Sequence, residues 1–181
     1  MRGRRGRWMG RILLAGVAAV CGAHGAGAQE AATPQQQVEG IVREGVGYAK
    51  VQLEQEFSFL PFAVIQHADG RIERILGPTG DELDALDTPE LQGDPARALT
   101  LLERRVEREA KAKSDFQVVG VFSDDDVKLP DGRQSDAIQA EMEHVSGYCA
   151  NVFLPYGRVE NTLSYGEQIS AAGQGLVFRC K

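Results

Sequence analysis

Pro61-Phe62-Ala63-Val64-Ile65-Gln66-His67, then Ala68-Asp69-Gly70-Arg71, then Ile72-Glu73-Arg74-Ile75-Leu76, is the stretch that sets the fold class. Two runs rich in apolar and β-branched residues flank Asp69-Gly70, a dipeptide that supplies the positive φ angles of a type I′ hairpin turn. A two-residue loop sets His67 opposite Ile72 and Val64 opposite Ile75. Strands joined this tightly are antiparallel.

Upstream, Thr33-Pro34-Gln35-Gln36 has the order of a helix start. Threonine caps, proline takes the first helical position, and glutamine completes a capping box. Val38, Ile41, Val42, Gly45, Ala49 and Leu53 then recur at helical spacing as one apolar stripe, and the helix runs to about Phe57. Gly40, Glu44, Gly47, Lys50 and Glu54 fall off that stripe. Each glycine weakens a helix by about 1 kcal/mol against alanine, so this helix is expected to depend on docking.

Downstream, residues 77–94 turn acidic and proline-punctuated, with a short helical turn expected near Asp81 to Leu86. Asp94-Pro95 opens a second helix that ends near Lys113 and buries Leu99, Leu102, Val106 and Ala110. Four strands are expected after it: Phe116–Ser123, Asp136–Val145, Tyr148–Leu154 and Gly175–Cys180. A second Asp-Gly, Asp131-Gly132, lies in a longer polar loop. Without βαβ alternation the fold class is α+β, two helices on a mainly antiparallel sheet in the order α-β-β-α-β-β-β-β.

The chain start is of another kind. Arg2, Arg4, Arg5, Arg7 and Arg11 precede an apolar run, Ile12 to Val20, and Ala26-Gly27-Ala28 follows. Basic, apolar, then small-x-small is the layout of a secretory signal peptide, so residues 1–28 are assigned to it and 29–181 to one compact domain. A membrane anchor needs about 20 strongly apolar residues, more than this run supplies. A lipidated Cys21 is the variant weighed against simple cleavage, and Val20 is bulky for that chemistry.

Of the 181 residues, 20 are Lys or Arg and 26 are Asp or Glu, a net charge of −6. Cleavage removes five of the bases and none of the acids, so the net becomes −11. Such a surface repels anionic lipid and nucleic acid, and a general nucleic-acid partner is excluded. No later segment is apolar enough to span a membrane, which leaves a periplasmic or secreted protein. Cleavage also takes Cys21, leaving Cys149 and Cys180 as the only cysteines. In an oxidising compartment these two are expected to pair. An antiparallel register that joins them sets Asn151 opposite Phe178 and Phe153 opposite Leu176.

The chemistry-bearing residues form no recognisable catalytic set, and the reading names no catalytic residue, metal or cofactor. Asp124-Asp125-Asp126 with Asp131 and Asp136 suggests calcium, but the alternating ligands and central glycine of a helix-loop-helix site are absent. The run is read as a solvated acidic loop. His144 shares a strand face with Ile138, Ala140 and Met142, and the pleat separates it from Glu141 and Glu143. It is read as the end of a buried row. His67 is the other histidine of the mature chain. Arg97, Arg104, Arg108 and Lys111 line the second helix opposite its apolar stripe, a candidate docking strip flanked by Glu103 and Glu107. Tyr148, Tyr156 and Tyr165 are candidates for a shallow aromatic groove. The expected function is an exported, non-enzymatic binding or envelope-associated module for an unknown protein or small ligand. The alternative is a small periplasmic hydrolase or lyase that uses His144 or His67 with a carboxylate.

Overall fold

The computed structural model describes residues 32–77 and 95–181. The signal-peptide assignment, the helical turn expected near Asp81 and the Asp94 cap of the second helix lie outside the described residues.

Helix α1 spans Pro34–Glu56, and the capping box is made as the sequence implies. The Thr33 hydroxyl accepts from the Gln36 amide at 3.2 Å, and the Gln36 side chain accepts from the Thr33 amide at 2.8 Å. All six stripe residues, Val38 to Leu53, are buried. One of the glycines in α1 has a packing reason. A Cβ on Gly45 would lie 2.0 Å from the Phe122 ring, so only glycine lets the helix settle onto that side chain.

Strands β1 (Phe62–His67) and β2 (Ile72–Leu76) form the hairpin, and helix α2 spans Pro95–Lys113. Then come β3 (Phe116–Lys128), β4 (Gln134–His144), β5 (Cys149–Val159), β6 (Thr162–Tyr165) and β7 (Ile169–Ala172). Every pairing is antiparallel, in the spatial order β2-β1-β3-β4-β5-β6, with β7 also on β5. The fold is α+β.

The hairpin turn is longer than the sequence reading set it. The Gly70 amide donates to the His67 carbonyl at 2.9 Å and the His67 amide to the Arg71 carbonyl at 2.8 Å, which leaves three residues in the loop. Gly70 takes φ of 84°, and the Asp69 carboxylate accepts from the Arg71 amide. This is the three-residue hairpin with a glycine bulge. The register therefore shifts by one, with Val64 opposite Arg74 and Ala63 opposite Ile75. The same bonds recur at Leu129–Arg133 and His144–Tyr148, with Gly132 and Gly147 at positive φ. Asp131-Gly132 is thus a tight turn, and the strands around it run longer than expected. Asp124, Asp125 and Asp126 lie inside β3, not in a solvated loop.

The sheet is covered on both faces. Against α1 pack Phe62, Val64, Val118, Phe122, Ile138 and Met142. Against α2 pack Ala63, Ile65, Ile75, Val119 and Val121, with Leu102 and Val106 from the helix.

The C-terminal segment corrects a further expectation. Gly175–Cys180 is not a strand, because β6 and β7 already occupy the outer edge of β5, with Asn151 opposite Ala171 and Phe153 opposite Ile169. The segment instead folds over the α2 face, where Leu176, Val177 and Phe178 pack on that core. The buried Glu143 carboxylate accepts three successive amides there, from Leu176 at 2.5 Å and from Val177 and Phe178 at 2.8 Å. Glu143 stands opposite Cys149, and Cys149 is disulfide-bonded to Cys180 with the Cα atoms 5.6 Å apart. The pairing holds, although the strand register argued for it does not.

Glu143→Ala leaves three amides without their acceptor and is expected to cost at least about 2 kcal/mol in urea unfolding. Thiol titration of denatured, unreduced protein should find Cys149 and Cys180 unreactive. Replacing both with serine is expected to cost at most about 3–4 kcal/mol, the chain-entropy value for a loop of this length.

Candidate functional site

The outer edge of β5 is built from two short strands because Pro155 interrupts it. β6 pairs with Tyr156–Val159 and β7 with Ala150–Phe153, so Leu154 and Pro155 have no ladder partner on that side. Proline has no amide to donate, and its carbonyl takes the Gly166 amide at 2.8 Å instead. Gly166-Glu167-Gln168 bulges there, and cavities open on either side of it.

The larger cavity is a cleft of about 850 Å³ between α1 and the β5–β7 edge. Val38, Val42 and Val46 form its helix wall, and Ala150, Val152 and Leu154 its sheet wall. Arg43, Lys50, Gln168 and Ser170 also line it. The Lys50 ammonium lies 4.1 Å above the Tyr165 ring. A second cavity, about 660 Å³, lies between the β3–β4 turn and the bulge, lined by Pro130, Tyr156 and Tyr165 among others. Gln168 lines both. The three tyrosines do not make one groove, since Tyr148 lines the cleft while Tyr156 and Tyr165 line the second cavity.

Tyr156 is buried, and its hydroxyl donates to Asp124 at 2.7 Å. Burial is the main cause that pushes the Tyr156 hydroxyl well above its usual range, with the Asp124 bond adding to it. Burial also raises Asp124; the Tyr156 bond opposes that rise, and Asp136, Asp125 and Asp126 reinforce it.

The histidines are placed differently from each other. His144 ends the buried row, as its strand phase predicts. Nδ1 accepts from the Ser146 amide at 2.9 Å and lies 2.8 Å from the Ser146 hydroxyl, and Nε2 lies 2.7 Å from Gln37 Oε1 and 3.2 Å from the Gln117 side-chain nitrogen. Burial lowers its pKa, in keeping with a neutral ring. His67 is enclosed between two carboxylates, Asp115 on Nδ1 and Glu73 on Nε2, each at 3.0 Å. Burial works against the Glu73 charge, but bonds from Lys113, Arg71 and His67 outweigh it and hold its carboxyl below the usual range. The His67 ring exposes no surface while the carboxylates of Glu73 and Asp115 reach solvent, so the cluster ties the hairpin to the α2–β3 junction with the imidazole at its buried end.

On α2, Arg104, Arg108 and Lys111 are exposed and Arg97 is half-buried. Lys111 pairs with Glu107 at 3.7 Å. Among the described residues no three His, Cys, Asp or Glu side chains converge as a metal-holding group. Comparison with family models, curated proteins and solved structures returns no match.

The sequence reading missed the cleft because Val38 and Val42 belong to the core as well as bordering the cleft. Two signals pointed to it: Pro155 inside a strand, and Val46, an apolar residue beyond the buried stripe that remains half-exposed.

Tyr156→Phe removes the donor to Asp124 and is expected to cost about 1.5–3 kcal/mol. Asp124→Asn keeps an acceptor and removes the charge. Because the folded protein holds the Asp124 proton more tightly than the unfolded chain, ionisation of Asp124 disfavours folding. The variant should therefore gain on the wild type at pH 7, and the gain should fade as pH drops through the raised folded value toward 3.8. Unfolding midpoints across that range check it. Arg104→Glu with Arg108→Glu is expected to cost less than about 1 kcal/mol, as exposed positions do; a larger loss in urea unfolding assigns the strip to internal ion pairing.

Proposed function

We propose that the chain is an exported binding module, released from Met1–Ala28, that takes a small ligand in the cleft between α1 and the β5–β7 edge. The observation that carries this reading is the cleft itself. It has aliphatic walls, a few polar groups at its rim, and a volume within the roughly 300–1,000 Å³ usual for small-molecule sites. The Cys149–Cys180 bond supports an oxidising compartment. No helix of the described residues is long and apolar enough to cross a membrane. Access favours binding over histidine–carboxylate catalysis: His67 has its two carboxylates but no exposed surface, and both His144 nitrogens are engaged.

A neutral fluorescent naphthylamine, N-phenyl-1-naphthylamine, tests the cleft on the protein from Gln29 onward. Fluorescence should rise and saturate with one site per chain, and Val46→Trp, which fills the cleft, should weaken binding at least tenfold. A flat titration overturns the reading. The intact mass of protein recovered after export should correspond to a chain that begins at Gln29.

A further inference from the structure

We infer that the cleft ligand is a single-chain fatty-acid anion, with its carboxylate at Lys50 and Arg43 and its chain along the valine wall. This rests on the binding reading above and adds the ligand class to it.

The walls set the tail. Val38, Val42 and Val46 stand four residues apart on one side of α1, a row of about 12 Å along the helix axis. Ala150, Val152 and Leu154 alternate along β5 on the facing side. Six aliphatic side chains in two rows match an unbranched hydrocarbon better than a planar ring system.

The rim sets the head. Arg43 and Lys50 are seven residues apart on α1, two helical turns, and therefore project on the same side. Among the described residues neither is within ion-pair distance of a carboxylate, whereas Arg71, Arg74, Lys111, Lys113 and Arg133 all are. The one acid that lines the cleft, Glu39, lies one helical turn before Arg43 and three before Lys50, and accepts from Gln35 at 3.0 Å. Lys50 stands beyond the valine row, at the end of the cleft away from Glu39. Lys50 is held over the Tyr165 ring, which positions the ammonium without neutralising it. On the sheet side Gln168 and Ser170 add polar groups to the cleft lining. In a mature chain of net −11, two unpaired cations at the mouth of an apolar cleft are complementary to an anionic amphiphile.

Displacement of bound N-phenyl-1-naphthylamine by decanoate, decanol and decyltrimethylammonium separates tail from head. Decanoate should bind at least tenfold tighter than decanol, and decyltrimethylammonium weaker than both. From octanoate to decanoate, affinity should rise about fourfold per methylene, as burial of hydrocarbon implies. Arg43→Gln with Lys50→Met should bring decanoate down to the decanol value and leave decanol and the naphthylamine unchanged. Lys50→Arg should keep the preference. If the naphthylamine binds but decanol equals or exceeds decanoate, or if the double variant keeps the preference, the anion assignment is overturned and the binding module stands. If the naphthylamine does not bind the wild type, the binding reading falls and the ligand class falls with it.

Discussion

β1 and β3 carry apolar side chains on both of their faces, so neither face of the sheet centre can be left to water. Phe62 and Val64 point one way while Ala63 and Ile65 point the other, and Val118 and Val119 divide likewise. Hydrophobic burial is roughly proportional to the apolar area removed from water, and a sheet of this kind is stable only as the middle of three layers. α1 supplies one outer layer with a stripe of six buried positions. α2 supplies the other with fewer, Ala98, Leu102 and Val106, and does not cover the β4–β5 side of its face. The C-terminal segment completes that layer.

The completion depends on polar chemistry as much as on apolar contact. A segment with no strand partner has amides that need acceptors if they are buried. Glu143 answers three of them with one carboxylate, and its own charge is satisfied by the same bonds. The disulfide acts at the same cross-strand pair, since Cys149 stands directly opposite Glu143. The two devices divide the work. The carboxylate fixes the local conformation of Leu176–Phe178, and the disulfide limits how far the chain end can depart when that conformation opens.

What was legible in the sequence follows from the range of the forces involved. The α1 stripe, its capping box and the end of α2 at Lys113 are set within a few residues of themselves, and all were readable. Turn length is also local, yet Asp-Gly serves two-residue and three-residue hairpins alike, and the difference moved the β1–β2 register by one. Leu176-Val177-Phe178 has the composition of a strand, and only the prior claim of β6 and β7 on the β5 edge removes it from the sheet. Those two strands are short and rich in serine, alanine and threonine, so nothing local announced them. Asp124 to Asp126 run against strand propensity and are carried into β3 by its pairing with β4 and, at Asp124, by the Tyr156 hydroxyl. Site residues were legible only as residue types. His67 was singled out without its two carboxylates, which lie 6 and 48 residues away in sequence.

The clasp on one face also bears on why the other face keeps an opening. α1 packs over β1, β3 and β4, so its Val38–Val46 flank overhangs β5 and β7 without a further element beneath it. The chain that follows β7 carries three apolar residues, and they pack on the α2 core instead. Glu143 and Cys149 hold it on the opposite face. Release of that segment would expose apolar surface beside α2 together with Leu176, Val177 and Phe178 themselves. The same two contacts close the α2 layer, and among the described residues the α1 flank beside β5 and β7 has no covering segment of that kind.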